Sequence, residues 1–471
     1  MSLPYNLNDK QSIIDYAKLL KGKTLREACS NEIPNDNYAG KGKYGQTLEK
    51  FYFKYEPNSE SEPDFAIAGL ELKSTPLKQL KNNDYRSKER LVLNIINYID
   101  VVNQNFETSS FWKKNANILL VFYLHQADLD IIDYLIKLVD EWSFPITDLE
   151  IIRNDWELIK TKIADGKAHE LSEGDTFYLG ACTKGANANS TRKQPFSDTP
   201  AKQRAYSLKQ GYVNHIIASI ANEPTGNYGK LIPTVEIARE KTIEEIVFDK
   251  VRPFLGKTDK ELIEIFNLDN INPKSKNYYS KITDAIFDVP KYKNIDNYIE
   301  EFNKAEIVVK SIRVEEDSSI DQSISFNAFE YIKLFNESWI NSDVKELFDK
   351  KFLFVFYRKR DHVYYLEKIK FWNMPYSDRN EVRRVWLETK KIIYSGKIFK
   401  GIQTIKNGKT RNLNFFPKMK DSNVFHVRPH GSNALDTYPL PIQEFTTKKF
   451  SYSKQCFWLK NNYVRDEIYL K

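Results

Sequence analysis

Cysteine is scarce in this chain of 471 residues, which contains only Cys29, Cys182 and Cys456. The three lie far apart, so they form neither a disulfide framework nor the paired spacing of a structural zinc site. Histidine is scarce as well, with six residues in total. His426 and His430 lie close together, but a proline separates them and no third ligand is nearby, which disfavours zinc. The sequence therefore does not predict chemistry based on disulfides or on a zinc ion.

Long apolar runs are also missing. The longest, Ile118 to Leu124, is far too short to span a bilayer. The first residues, MSLPYNLNDKQS, are polar and lack the apolar core of a signal peptide. We therefore expect a soluble intracellular protein.

A large excess of one charge is absent too. The chain has 71 Lys and Arg residues against 64 Asp and Glu, a net charge of +7. This balance permits a polyanionic partner if the excess is clustered, but does not require one. A hydrophobic content of 41% with 14% aromatics provides for packed cores and argues against disorder. The length predicts two or more domains.

The predicted division falls near the middle of the chain. Residues 219–241 contain Pro, Gly and Asn, which is typical of a linker. The predicted domains are then residues 1–218 and 242–471.

The two halves look like weak copies of each other. In both, a glycine follows a tryptophan by ten positions: Gly166 follows Trp156, and Gly396 follows Trp386. Further matches follow in the same order: ILLVFY (118–123) with FLFVFY (352–357), KGANA (184–188) with HGSNA (430–434), and SLKQGYV (207–213) with WLKNNYV (458–464). We interpret this repetition as a duplication.

The most informative short stretch is EPDFAIAGLELKSTP, residues 62–76. Alternation of apolar and charged residues from Leu70 predicts a strand with Glu71 and Lys73 on one face. A two-residue turn at Ala68-Gly69 would pair Phe65 with Leu72 and Asp64 with Lys73. Asp64, Glu71 and Lys73 then converge on the same face of a hairpin.

Two interpretations of this face remain open. Two carboxylates suit a hard divalent cation that keeps several waters, and the ammonium beside them can orient a water for attack. The alternative is a solvated hairpin face with one ion pair. The second copy, EFNKAEIVVKS (301–311), keeps a carboxylate and a lysine, but Val308 stands in place of Glu71. A valine cannot bind a cation, so this difference favours a metal site in the first copy and an inactive second copy.

Several motifs together resemble a known family. A helix bearing Glu49 is followed by a spacer and then by Asp-x6-Glu-x-Lys, within residues 41–76. Further matching stretches are KERLVLNIINY (88–98), NFETSSF (105–111), GKAHELSEG (166–174) and CTKGANA (182–188). These motifs resemble the mismatch-repair endonuclease MutH and the related GATC-cutting type II restriction endonucleases of the Sau type, and they resemble the restriction branch more closely.

This resemblance implies an α/β fold class: two restriction-endonuclease-like domains of the PD-ExK, MutH-like type in tandem. Each would have a mixed central sheet flanked by helices. Residues 1–218 would form the catalytic domain. Residues 242–471 would form a degenerate, inactive domain that binds DNA as an allosteric effector.

The resemblance also implies a reaction and its residues. Asp64 and Glu71 would hold Mg²⁺, for which Mn²⁺ could substitute, and Glu49 would add a third carboxylate. Lys73 would position or deprotonate the attacking water. The substrate would be double-stranded DNA, cut before the G of GATC to leave 5′-phosphate ends, in the cytoplasm of a bacterium. Two DNA sites bound at once and self-association on DNA are further partner predictions.

DNA contacts are predicted in both halves. Lys41 and Lys114 align with lysines that the family places around the scissile phosphate, although either could be an ordinary solvated lysine. The loop after Cys182 is rich in hydrogen-bond donors, as a base-reading loop requires. The remaining predicted contacts are Thr183, Lys184, Asn187, Tyr206, Ser207 and Lys209 in the first half, and Arg428, His430, Asn433 and Lys460 in the second. MutH has a tyrosine with a proposed role at the position of Ser207. The adjacent Tyr206 is therefore considered as a substitute for that tyrosine.

Two other functions remain as alternatives. One is a DNA-binding regulator with a vestigial nuclease site, which the complete set Glu49, Asp64, Glu71 and Lys73 disfavours. The other is a MutH-like mismatch-repair nickase. A nickase of that kind is a single short domain, so the second half of this chain disfavours it.

Overall fold

The computed structural model describes residues 3–30, 33–34, 42–57, 61–185, 190–222, 228–268, 271–404, 408 and 410–471. Two compact units are present. The first comprises Met1–Val247 with Tyr292–Ile307, and the second comprises Phe248–Lys291 with Val308–Lys471. The segment predicted as a linker, 219–241, lies within the first unit. The assignment of a catalytic and a DNA-binding domain stays a prediction.

The α-helices follow in chain order: α1 Lys10–Lys18, α2 Leu25–Ala28, α3 Lys43–Thr47, α4 Tyr98–Val101, α5 Ser110–Asn115, α6 Ile146–Ala164, α7 Gln210–Ile220, α8 Val235–Glu240, α9 Ile243–Val251, α10 Asp259–Ile265, α11 Tyr278–Ile286, α12 Ile295–Tyr298, α13 Glu300–Ala305, α14 Tyr331–Asn336, α15 Asp343–Phe348, α16 Tyr376–Ser395 and α17 Asn461–Tyr463. Within the described residues, no helix is both long enough and apolar enough to cross a membrane.

The strands of the first unit are β1 Glu71–Gln79, β2 Tyr85–Ser87, β3 Leu91–Ile95, β4 Asn117–Leu124, β5 Ile136–Ser143, β6 Leu179–Thr183, β7 Thr191–Gln194, β8 Ser197–Lys202 and β9 Arg204–Leu208. Those of the second are β10 Val308–Val314, β11 Ile324–Ala328, β12 Phe352–Arg360, β13 Val363–Trp372, β14 Phe399–Thr404, β15 Thr410–Asn414, β16 Phe425–Pro429, β17 Thr437–Pro439, β18 Ser451–Ser453 and β19 Gln455–Leu459.

The central sheet of the first unit is mixed and has the order β2-β1-β4-β5. Strand β4 runs parallel to β1 and antiparallel to β5. Because β4 lies between two strands and both its faces are covered, five consecutive apolar side chains, Ile118 to Phe122, are fully buried. A second, antiparallel sheet has the order β3-β9-β6.

The second unit repeats this arrangement with a central sheet of three strands, β10-β12-β13, in which the described residues include no counterpart of β2. Strand β12 runs parallel to β10 and antiparallel to β13, and β11-β19-β16 form a second antiparallel sheet. The matched runs ILLVFY and FLFVFY thus lie on equivalent strands, β4 and β12. The predicted α/β class, with mixed central sheets flanked by helices, is confirmed.

The matched tryptophans and glycines also have equivalent structural roles. Trp156 on α6 and Trp386 on α16 are both buried, and each helix begins directly after a proline. Gly166 and Gly396 follow the two helices with φ angles of 71° and 65°. Backbone with positive φ favours glycine, which explains why this residue recurs where each helix ends.

Candidate active site

The predicted hairpin forms, but the register that the sequence predicted for it is wrong. Phe65 pairs with Leu70 rather than with Leu72, so the turn contains the four residues between them. The Gly69 backbone N–H donates to the Ala66 carbonyl at 3.2 Å, and the φ angle of Gly69 is 62°. A longer turn of this kind depends on side-chain contacts that apolar alternation does not reveal.

Asp64 and Glu71 are nevertheless brought together, through bonds between side chain and backbone. The Leu72 N–H donates to Asp64 Oδ2 at 2.9 Å, and the Asp64 N–H donates to Glu71 Oε2 at 3.1 Å. Each carboxylate is therefore fixed by the backbone next to the other. The sequence predicted that Leu72 pairs with Phe65, but the Leu72 N–H forms its hydrogen bond with the Asp64 carboxylate instead.

Two lysines stand beside Glu71. The ammonium of Lys73 contacts Glu71 Oε1, as expected for residues i and i+2 on one strand face. Lys114 lies at the end of α5, and its Nζ is 3.8 Å from the same oxygen. The parallel pairing of β1 with β4 sets Glu71 opposite Ile118, which brings the end of α5 to the start of β1.

Burial excludes the solvated-face interpretation of the hairpin, and the metal site stays a prediction. The Glu71 side chain is 1% exposed, and those of Lys73 and Lys114 are 18% and 11% exposed. A carboxylate with so little exposure does not belong to a solvated face. Such a group is costly to bury unless charged or polar partners compensate it.

Glu49 belongs to a π-helical turn, Leu48–Tyr52, that continues α3. Tyr44, Leu48 and Tyr52 are buried on the packed face, and Glu49 lies partly exposed at its border, as predicted. A Cβ atom added to Gly45 would lie 3.8 Å from Glu49 Oε1 and 3.6 Å from Ser74 Oγ. The Glu49 carboxylate therefore lies close to Gly45, near strand β1.

The carboxyl groups of this site influence each other's protonation. Burial raises the pKa of Glu49 to about 7, and the nearby charge of Asp64 adds to the rise. Burial likewise raises the pKa of Glu71 to about 7, against the opposing effect of Lys73. Tyr55, which the sequence analysis missed, has a buried hydroxyl without a hydrogen-bond partner among the described residues. Burial raises its pKa, and the charges of the three carboxylates raise it further.

The donor set fits a hard divalent cation. Glu49, Asp64 and Glu71 supply carboxylate oxygens, the ligands that Mg²⁺ prefers, and their desolvated and mutually repelling charges are what a cation would offset. As the side chains stand, no group of three or more His, Cys, Asp or Glu residues in the described ranges converges closely enough to hold a metal ion. Glu71 Oε1 instead accepts a hydrogen bond from the Lys73 ammonium.

The predicted base-reading loop follows β6. Thr183 and Lys184 are exposed, and the Lys184 N–H donates to the Gln203 carbonyl at 2.9 Å. Lys41 and Asn187 lie outside the described residues. The roles of these residues stay predictions.

Three other predicted contacts lie in the interior of the first unit. Tyr206 and Ser207 are 2% and 1% exposed. The Lys209 Nζ donates to the carbonyls of Thr176 at 2.6 Å and Ala305 at 3.3 Å. Each of these side chains thus has a packing or hydrogen-bonding role, and contact with DNA stays a prediction.

Val308 in the second unit occupies the same register position as Glu71. Val308 is the first residue of β10 and pairs with Phe352, as Glu71 begins β1 and pairs with Ile118. The expected counterpart of Asp64 is not in a hairpin. Glu301 lies in α13 of the first unit, where its carboxylate accepts the N–H groups of Leu231 and Ile232 at 3.0 and 2.9 Å.

The loop that is predicted to read bases in the second unit is largely exposed. Arg428 is exposed and packs over the Trp458 ring at 4.9 Å, and the His430 N–H donates to the Lys454 carbonyl. Asn433 is exposed, and its Oδ1 accepts the Leu435 N–H at 2.8 Å. The Lys460 Nζ donates to the Ser422 carbonyl at 3.2 Å. Their DNA-binding roles stay predictions.

Comparison with known proteins gives a consistent result. The family model of the DNA mismatch repair enzyme MutH matches residues 53–155. The type II restriction enzyme Sau3AI of Staphylococcus aureus is 39% identical, over 98% of this chain and 98% of its own. The DNA mismatch repair protein MutH of Yersinia enterocolitica is 26% identical, over 45% of this chain and 92% of its own. The MutH protein of Yersinia pestis (strain Pestoides F) is also 26% identical, over 38% of this chain and 78% of its own. The chain therefore belongs to the family of type II restriction enzymes that contains Sau3AI, and this family is related to MutH.

Proposed function

We propose that this chain is a restriction endonuclease that cuts both strands of double-stranded DNA at GATC, before the G, and leaves 5′-phosphate ends. The observation that carries the proposal is the cluster of Asp64 and Lys73 around the buried Glu71 at the start of β1, with Lys114 beside it. Membership of the Sau3AI family supports the reaction class. The enzyme would act in the bacterial cytoplasm, where incoming DNA is found.

Mg²⁺ is the proposed cofactor, and Mn²⁺ would substitute for it. Asp64 and Glu71 would hold the ion, and Glu49 would add a ligand from the adjoining helical turn. When bound, a divalent cation lowers the pKa of a water ligand and stabilises the charge that develops on a phosphate.

The remaining groups have separate roles. Lys73 would hold the attacking water in place through its ammonium, which lies at Glu71 Oε1, or would accept the proton of that water once it is in the neutral amine form. Lys114 would place a positive charge beside the scissile phosphate. The N–H of Leu72 fixes the orientation of Asp64, so that its carboxylate does not need to reorganise during the reaction.

The second unit would act as an effector that binds another GATC site. Val308 at the register position of Glu71 makes the unit unsuitable for cation binding, while Arg428 and its neighbours keep an exposed reading loop. Binding there would activate cutting by the first unit.

Two competing functions have less support. The relatives named MutH match less than half of this chain, whereas the match to Sau3AI extends over both units, which disfavours a mismatch-repair nickase. A DNA-binding regulator with a vestigial site would not require a buried Glu71 between two lysines.

The test is a digest of unmethylated plasmids carrying one or two GATC sites, with and without Mg²⁺, followed by sequencing of the product ends. Glu71→Ala is the inactivating variant, and Val308→Ala is its control at the matching position of the second unit. We expect 5′-GATC overhangs that require both Mg²⁺ and Glu71, faster cutting of the two-site plasmid, and full activity of Val308→Ala.

Other outcomes would support the competing functions. Tight binding to GATC without cutting in any divalent metal would indicate a DNA-binding regulator. Nicking of one strand only in hemimethylated DNA would indicate a repair nickase. Equal rates on the two plasmids would exclude the effector role but leave the nuclease assignment intact.

A further inference from the structure

One hairpin distinguishes the second unit from the first. Strands β14 and β15 lie between the long helix α16 and strand β16. At the corresponding place between α6 and β6, the first unit has only two short 3₁₀ turns, Ala168–Glu170 and Glu173–Asp175. The hairpin is therefore an addition to the order of elements that the two units share.

The two segments also differ in charge. Residues 396–424 contain one acidic residue, Asp421, and seven basic ones: Lys397, Lys400, Lys406, Lys409, Arg411, Lys418 and Lys420. Residues 165–178 of the first unit contain one lysine, Lys167, and four acidic residues: Asp165, Glu170, Glu173 and Asp175. Replacement of an acidic segment by a longer basic one indicates a polyanionic partner that only the second unit needs here.

Backbone contacts attach the basic hairpin to β16, the strand that carries Arg428. The Phe415 N–H donates to the Ile398 carbonyl at 3.0 Å, which closes the base of the hairpin. The Val427 N–H on β16 donates to the Pro417 carbonyl at 2.9 Å. Lys418 is thereby placed beside the strand that carries Arg428.

The positive charges in this region are close enough to affect one another. Burial lowers the pKa of Lys418 to about 8; Asp421 opposes this shift, and Arg411 and Lys400 reinforce it. The Arg411 Nε donates to Gln403 Oε1 at 2.8 Å, and Lys400 packs over the Phe415 ring at 5.5 Å.

None of these cations is neutralised within the part of the chain that the structure describes. Lys400, Arg411 and Lys418 form no ion pair there, and the Lys418 ammonium donates to the neutral Asn414 Oδ1. Arg428 packs on Trp458 rather than on a carboxylate. Unpaired like charges held near one another repel, and a bound polyanion relieves that repulsion.

We propose that the β14–β15 hairpin, with Lys400, Arg411 and Lys418, is an arm that binds the phosphate backbone of the DNA duplex on the second unit. The inference rests on the proposed function, since it requires that this unit binds DNA. The arm supplies affinity that does not depend on base sequence, and the reading of bases is left to the Arg428 loop.

The experiment uses the full chain with Glu71→Ala in every protein, so that the DNA stays intact. Mobility-shift titrations resolve complexes with one and with two short duplexes, which separates the binding steps. The test variant is Lys400→Gln with Arg411→Gln. Its control, Lys291→Gln with Lys293→Gln, removes the same charge from two exposed lysines elsewhere. Each titration is made with a GATC duplex and with one of equal length that lacks the site.

We expect the test variant to weaken one of the two binding steps, by the same factor for both duplexes. The slope of log affinity against log salt for that step should fall by about 2, because each phosphate that the protein neutralises contributes roughly 0.9 to the slope and the variant removes two cations. The other step should not change, which shows that the variant is folded, and the control should leave both steps unaltered.

Three results would overturn the inference. If neither binding step changes in the test variant, the arm is excluded while DNA binding by the second unit stays intact. Weakening confined to the GATC duplex would mean that the hairpin reads bases rather than phosphates. If the protein without the arm substitutions forms no complex with two duplexes, both the effector role and the arm are wrong.

Discussion

Replacement of Lys304 by methionine should destabilise the first unit strongly. Lys304 lies in α13 and its side chain is 5% exposed. Its Nζ donates to both oxygens of Asp148 at 2.9 Å and pairs with Glu300 at 2.8 Å. Methionine keeps the length and apolar stem of the side chain but removes the charge. The Asp148 carboxylate, itself 6% exposed, would then lose its cation.

The expected loss is about 3–5 kcal/mol of unfolding free energy, the cost of leaving one charge of a buried pair uncompensated. Urea denaturation measures it. Lys333→Met is the matched control, because Lys333 pairs with Asp343 and both side chains are more than half exposed. An exposed pair contributes about 0–1 kcal/mol. Adding Asp148→Asn to Lys304→Met should recover part of the loss.

The result that would refute this reasoning is a Lys304→Met loss no larger than that of Lys333→Met. Such a result would mean that α13 is not a fixed part of the first unit. Confirmation would show that residues 292–307 complete the first unit, although they follow 44 residues, Phe248–Lys291, of the other unit.

Three further predictions concern separate parts of the chain. Lys73→Met should abolish cutting yet bind Mn²⁺ more tightly in calorimetry without DNA, by about 10- to 100-fold, because a charged hydrogen bond to Glu71 contributes about 1.5–3 kcal/mol. Unchanged affinity would contradict this prediction. Burial, reinforced by nearby cations, lowers the pKa of His426 from 6.5 to about 4. The unfolded chain therefore takes up the proton first as the pH falls below 6.5. The free energy of unfolding at about pH 5 should therefore be about 2 kcal/mol lower than its value well above pH 6.5. Denaturation curves of His426→Leu should lack this pH dependence. Gly211→Ala should lower the melting temperature, because the added Cβ would lie 2.1 Å from the Asn303 carbonyl oxygen; an unaltered transition would show that α13 can shift.

The cluster of Asp64, Glu71 and Lys73 shows how far the sequence predicts the candidate site. Alternation from Leu70 to Lys73 correctly set Glu71 and Lys73 on one face, and the spacing brought Asp64 to them. The register was wrong because the Leu72 N–H bonds to the Asp64 carboxylate instead of pairing across a two-residue turn. A bond between a side chain and the backbone leaves no periodic pattern in a sequence.

The second copy shows the same limit. Its Val308 was found by aligning short motifs, and the strand register agrees with that alignment. Glu301 aligned with Asp64, but Glu301 lies in a helix, where its carboxylate accepts hydrogen bonds from the backbone N–H groups of Leu231 and Ile232. Identity in an alignment does not determine which atoms a buried carboxylate meets.

The sequence by itself determined the α/β class, the two similar sets of strands, the buried runs on β4 and β12 and the carboxylates of the site, because local periodicity and residue chemistry specify these features. The tertiary structure alone decided that Lys114 reaches Glu71, that Tyr206 and Lys209 are enclosed, and that Lys304 pairs with Asp148. These outcomes depend on strand pairing and packing between segments far apart in the chain, and no local pattern records them.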